Sequence, residues 1–228
     1  MTSAQVQPDR DTDVAEPDTD SDASSPDQSE LDLRPTHRSI AWQLVVLGAV
    51  AFAASFDLAV ERIQLLIDPS YVPSCSLSPV LSCGSVMVTE QAAVFGFPNP
   101  LIGVAAFPVV IATGAAMLAG ARMRRWYWQG MQVGVVFGVV AIHWLAFQSL
   151  YRIEALCPYC MVVWAAMLPL FVSVTAYNAA HGHLGAGVAR SELVADLVGV
   201  RWWLVGMWFV VITGLIGVQF WDYWQTLL

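Results

Sequence analysis

From Ile40 onward the apolar residues of this chain come in long blocks, divided by shorter stretches that hold nearly all of the arginine, aspartate and glutamate found there. Five blocks are long enough to cross a hydrocarbon core, which takes roughly 20 residues in a helix. They run from Ile40 to Ala59, Leu101 to Ala119, Trp126 to Leu150, Leu156 to Tyr177, and Trp202 to Trp221. A short buried strand would not continue so far, and a lipid-facing backbone must satisfy its own hydrogen bonds, so each block predicts a transmembrane helix. Pro108 and Pro169 fall inside the second and fourth spans, where a membrane helix tolerates a kink. Between the first two spans, an apolar stretch from Val86 to Phe97 predicts a short helix lying on the membrane surface like a lid.

The opposite pattern fills the N-terminus. Met1 to about Pro35 is rich in Asp, Ser, Pro, Thr and Gln, with too little aliphatic surface to offset the entropy of ordering a backbone. The predicted organisation is therefore a disordered acidic cytoplasmic tail over residues 1–38 and a five-helix transmembrane domain over 39–228. The tail lacks the basic start of a signal peptide, so the first span is read as a retained anchor. An acidic tail could meet a basic partner, but a solvated extension is the simpler reading.

Composition agrees with this division. Hydrophobic residues make up 57% of the chain and charged residues 12%, far from a soluble domain. The net charge of −8 belongs to the tail, since ten of the eighteen acids precede Leu33 and only Arg10 offsets them there. The remainder holds eight acids and nine arginines, a balance that gives no reason to expect nucleic acid as a partner. Arginine placement predicts direction. Arg34 and Arg38 precede the first span, Arg122, Arg124 and Arg125 join the second and third, and Arg190 and Arg201 precede the fifth. These belong in the cytoplasm, with the C-terminus outside and the protein a multi-pass component of the cell membrane. Asp57 and Glu61, near the outer end of the first span, read as carboxylates reaching the headgroup region.

This topology places all four cysteines at the outer face, the oxidising side. Cys75 and Cys83 lie in the loop after the first span, and Cys157 and Cys160 at the start of the fourth. In Cys157-Pro158-Tyr159-Cys160 a helix start would point backbone N–H groups at the first sulfur and favour its thiolate. Pro158 costs no hydrogen bond in a first turn. Cysteines at this spacing can close into a disulfide and store two electrons. Two inert structural disulfides are the competing reading. A four-cysteine zinc site would need reduced ligands on an oxidising face, and no zinc-ribbon context surrounds these residues, so no metal is expected. A soluble thioredoxin domain would need a βαβ sheet that cannot be fitted here.

The stretches Cys75-Ser-Leu-Ser-Pro-Val-Leu-Ser-Cys83, Phe95-Gly-Phe-Pro-Asn-Pro-Leu-Ile-Gly103 and Leu156-Cys-Pro-Tyr-Cys160, in this order and spacing, resemble bacterial members of the vitamin K epoxide reductase family. The resemblance covers roughly Ile40 to Tyr177. It implies an all-α membrane fold, a four-helix bundle around a quinone (menaquinone or ubiquinone), with the fifth span as an addition. It also implies a thiol oxidoreductase that relays electrons from an outside thioredoxin-fold partner, DsbA-like and expected to be a separate protein, through the loop pair to the helix pair. Residue by residue, Cys75 resembles the cysteine that exchanges with the partner, Cys83 the one that attacks Cys157, and Cys160 the one facing the quinone. Thr89 takes the place of a family hydroxyl near the active site, and Asn99 that of the amide that hydrogen-bonds the quinone or its epoxide. Trp164 stands where vertebrate relatives carry a tyrosine, which favours quinone reduction over quinone-epoxide reduction.

His143, deep in the third span at nearly the depth of Cys160, is a further candidate for a quinone contact, because an intramembrane histidine is a functional hypothesis by default. Two rival functions remain. A conduit carrying electrons outward would need cysteines reachable from the cytoplasm, and the chain has none in that position. A non-catalytic membrane protein with structural disulfides, such as a transporter subunit, would be favoured by intramembrane charge, which the second, third and fourth spans lack.

Overall fold

The structure, a computed structural model, describes residues 36–185, 187 and 191–226. The acidic tail up to residue 35, with Arg34, and Arg190 of the last connection lie outside the described residues. The elements in order are α1 (His37–Ile67), α2 (Cys83–Met87), a 3₁₀ turn (Glu90–Ala93), α3 (Pro100–Leu118) and α4 (Arg125–Gln148). A π-helical turn (Ser149–Ile153) extends α4, and α5 (Pro158–Ala180), α6 (Glu192–Gly199), α7 (Arg201–Gln219) and α8 (Trp221–Gln225) follow. Among the described residues, helices α1, α3, α4 with its turn, α5 and α7 are the five long and apolar enough to cross a membrane. The protein is an all-α, multi-pass membrane protein, as the block pattern predicts. Among the described residues the sole β-pairing outside helices is a parallel bridge between Leu81 and Leu156.

Helix ends depart from the hydropathy boundaries for local reasons. Thr36 caps α1, its hydroxyl accepting from the Ser39 N–H at 3.2 Å, and the helix continues past Ala59 to Ile67. Asp57, Glu61 and Arg62 end the apolar run, yet residues such as Glu, Arg and Gln are good helix formers and do not end the helix. Helix α5 begins at Pro158 and not at Leu156, because Leu156 is engaged in the bridge and Cys157 serves as the N-cap. The expected surface helix over Val86–Phe97 is two pieces, α2 and the 3₁₀ turn, and α2 already starts at Cys83.

Helix α1 packs on α3 and on α5, and α5 packs on α4. The α1–α3 contact depends on small residues that let backbones approach. A Cβ at Gly114 would lie 2.6 Å from the Ala41 carbonyl oxygen, and one at Gly103 would lie 2.3 Å from the Ser55 hydroxyl. The α4–α5 contact carries polar glue in its half away from the cysteines. There the buried Asn178 amide donates to Gln132 Oε1 at 3.0 Å and to the Trp128 carbonyl at 3.1 Å, while Gln132 donates to Thr175 at 2.9 Å. Helices α3 and α4 meet near their connection, where the Tyr127 and Thr113 hydroxyls bond. Helix α7 lies outside this four-helix body against α5, and Val205 is its only buried residue. Large apolar side chains such as Val133, Val210, Val218 and Trp203 are exposed on α4 and α7. Such a surface would be an association hazard in water, and here it faces lipid.

Candidate functional site

The Cys75 loop returns to the helix bundle through main-chain pairing. The Ser82 N–H donates to the Leu156 carbonyl at 2.9 Å and the Leu156 N–H to the Val80 carbonyl at 2.7 Å. These bonds fix the residue before Cys83 beside the residue before Cys157. On the other side, the chain is turned into this pairing by the π-helical turn after α4 and by Glu154, a non-glycine residue with φ of 56°. A π turn followed at once by a left-handed residue is costly local geometry of the kind that gathers at functional sites.

The cysteines form a continuous series. Cys75 and Cys83 are joined by a disulfide with their Cα atoms 5.6 Å apart, while Cys157 and Cys160 are thiols. The sulfurs of Cys157 and Cys83 are 3.3 Å apart. Cys83 is fully buried and Cys157 nearly so, packed with Leu58, Val86, Met87 and Ala155. Cys157 caps α5: its sulfur accepts from the Cys160 N–H at 3.4 Å. Hydrogen bonding from the Cys160 thiol first, and then from the Cys160 and Tyr159 N–H groups, holds the Cys157 thiol below its ordinary range against the opposing effect of burial. That is the environment of a reactive thiol at a helix start.

Below the cysteines lies a cavity of about 500 Å³ between the four helices, walled almost wholly by apolar side chains. This is within the usual size range of small-molecule sites. Helix α1 contributes Ser55 and Leu58, α3 Ile102 to Val110, α4 Met131 to Leu145, and α5 Cys160 to Leu170. Of the residues expected to touch a quinone, Asn99 and Trp164 line this cavity together with Cys157 and Cys160. The Asn99 Nδ2 donates to the Gln91 carbonyl at 2.7 Å, and its buried Oδ1 has no partner. Thr89 is not a wall residue; its hydroxyl donates to the Val86 carbonyl at 2.8 Å.

His143 is also outside the cavity walls. Its side chain is exposed on α4, with Nδ1 at 2.8 Å from the Val139 carbonyl and Nε2 accepting from the Trp208 indole of α7 at 2.7 Å. The helix turns this position toward α7. Two residues escaped the sequence reading. Arg62 is a charged wall residue of the cavity. Glu61, expected at the headgroups, is 9% exposed and bonds instead to the loop that carries Cys75. Nothing local in the sequence ties Glu61 to donors ten or more residues away.

The family model described as "Vitamin K epoxide reductase family" matches residues 42–175, which contain all four cysteines and every wall of the cavity. No curated protein matches the chain.

Proposed function

The chain belongs to the vitamin K epoxide reductase family, an oxidoreductase family of membranes, and from that premise we propose that it is a protein dithiol:quinone oxidoreductase. In this reading it reoxidises a separate thioredoxin-fold, DsbA-like protein outside the cell membrane and reduces a membrane quinone, supporting disulfide formation in secreted proteins. The observation that carries the reading is the unbroken series of sulfurs. Cys75 is bonded to Cys83, Cys83 lies 3.3 Å from Cys157, and Cys160 stands in the wall of the cavity.

Each exchange moves two electrons. A thiolate of the partner attacks Cys75 Sγ, breaking the Cys75–Cys83 bond and releasing Cys83 as thiolate. The partner's second thiol then attacks its own mixed disulfide, leaving as an oxidised protein and freeing Cys75. Cys83 attacks the Cys157–Cys160 disulfide at Cys157 and expels Cys160. Cys75 next attacks Cys83, re-forming the loop disulfide and releasing Cys157. The result is a closed loop pair over a helix dithiol, the arrangement of cysteines in this structure.

A quinone fits the residues present: the cavity is apolar and of suitable size, and Asn99 Oδ1 is a buried acceptor without a donor, which a quinol hydroxyl would satisfy. Bound there, a quinone would accept two electrons and two protons. Asn99 would orient it, Trp164 would flank it and the apolar walls would exclude water. Trp164 offers an indole and no phenolic hydroxyl, which favours quinone over epoxide as the acceptor.

The test mixes the purified protein in detergent with a reduced thioredoxin-fold dithiol protein and a quinone, and follows quinone absorbance. Quinone loss that requires both the partner and Cys160 is expected. Quinone left untouched while the partner is fully reduced would defeat the proposal.

A further inference from the structure

Glu61 is a carboxylate on a membrane helix with almost no exposed surface, and every hydrogen bond the structure gives it comes from one short segment. The Tyr71 hydroxyl donates to Oε2 at 2.8 Å, the Ser74 N–H reaches Oε1 at 3.3 Å and Oε2 at 3.4 Å, and the Ser74 hydroxyl also bonds Oε1. Asp57, one helical turn earlier, is exposed. The hydrogen bond to Glu61 raises the Tyr71 phenol above its ordinary range, so the phenol remains a donor. Charge-assisted bonds of this kind are among the stronger ones available to a surface loop.

The residue after Ser74 is Cys75, and it is only 6% exposed. A thiolate from another protein cannot reach a sulfur held in this way, so a relay entered at Cys75 requires the segment to open. The loop is attached at two places with Cys75 between them. Before it, Tyr71 and Ser74 are held by Glu61. After it, Ser76 accepts from the Gly84 N–H at 3.2 Å, Leu77 donates to the Leu81 carbonyl at 2.8 Å, and Ser82 pairs with Leu156. Releasing the first attachment loosens the chain leading into Cys75, which then keeps only the Ser76–Pro73 turn and its packing, and leaves Cys83 pinned beside Cys157.

We propose that Glu61 is a positioning residue that fastens the Tyr71–Ser74 segment leading into Cys75, and that unfastening it lets Cys75 leave its buried place against Leu58, Val86 and Met87 and so controls the access of incoming thiols to the loop disulfide. The proposal deepens the relay reading and rests on entry at Cys75. In the open state a thiolate attacks Cys75 Sγ, the Cys75–Cys83 bond breaks, and Cys83 leaves as thiolate; a second incoming thiol completes the two-electron reduction. Glu61 itself exchanges no electrons.

Glutathione is the probe, added to the full chain in detergent with no quinone and no partner protein. Alkylation at timed intervals followed by mass spectrometry counts open Cys75 and Cys83. Glu61→Ala is expected to raise the opening rate about tenfold or more, the effect of losing at least one net charge-assisted bond. Tyr71→Phe and Ser74→Ala should each raise it less. A second readout separates fastening from general support: in a Cys75→Ser, Cys160→Ser background, where Cys75 no longer competes, closure of a Cys83–Cys157 link by a mild oxidant should not change with Glu61→Ala, because the bridge to Leu156 holds Cys83. An unchanged or slower opening rate, or a loss of that link, would overturn the proposal. Should Glu61→Ala fail to fold, the double variant Tyr71→Phe, Ser74→Ala decides by the same criteria. Failure of the relay reading would show elsewhere, as wild-type protein that opens its loop disulfide but reduces no quinone.

Discussion

Replacing Cys160 by serine leaves three sulfurs, those of Cys75, Cys83 and Cys157, to share one disulfide. The Cys157 and Cys83 sulfurs start 3.3 Å apart. A disulfide bond is about 2.05 Å long, so an approach of about 1.3 Å completes the new link. That is little more than the ordinary displacement of an atom in an ordered region, about 0.9 Å. In the exchange, Cys157 attacks Cys83 and Cys75 leaves as thiolate, so the number of disulfides is conserved. The balance then depends on thiol acidity and on how closely each pair is held. With the Cys160 thiol gone, the N–H groups of residues 159 and 160 still favour the Cys157 thiolate, which makes Cys157 the better leaving group and draws the balance back toward Cys75–Cys83. We expect the Cys83–Cys157 link in roughly a tenth to a third of the Cys160→Ser protein. In Cys75→Ser, Cys160→Ser the competing thiol is gone, and a mild oxidant should close the link in nearly all molecules. Non-reducing digestion with mass spectrometry identifies the joined peptides. A Cys75–Cys157 link in Cys160→Ser, with Cys83–Cys157 absent, would refute the order of transfer.

Cys75→Ala should stop oxidation of a thioredoxin-fold partner while a small dithiol, able to reach the helix pair, still drives quinone reduction; equal loss of both rates would remove Cys75 from the entry point. Gly114→Val should lower stability by roughly 1–3 kcal/mol through overpacking against the Ala41 carbonyl, read as a lower midpoint of thermal unfolding in detergent; an unchanged midpoint would contradict the close α1–α3 approach. A reporter fused after Leu228 should be active outside the cell and one fused near Met123 inside, and the reverse pattern would remove the argument that the cysteines face an oxidising compartment.

The five spans were legible because a membrane imposes one crude requirement, length without charge, that a hydropathy reading measures directly. Their ends were not, because helices stop where hydrogen bonds are taken over by other groups. Leu156 looks like the start of a span until Leu81 pairs with it. The family and the cysteine motifs were legible because the sulfur spacing is local. Asn99 and Trp164 line the cavity, whereas the direction of His143 depends on where α7 packs, which no local pattern contains. Glu61's partners were not legible for the same reason: its donors come from a loop whose path is decided by tertiary contacts.

The short bridge between Leu81 and Leu156 also has a bearing on biosynthesis. Cys75 and Cys83 are eight residues apart, so they can pair as soon as their loop has left the ribosome and met an oxidant. Cys83 and Cys157 are separated by 74 residues, and the main chain that brings them together exists only once the fourth long helix has been made and inserted. Until then the first disulfide is a local staple with no electrical outlet. If the proposed relay holds, a nascent chain, or one truncated before Leu156, could exchange thiols at its surface but could not pass electrons on to Cys157, and competence would arrive in a single late step of assembly.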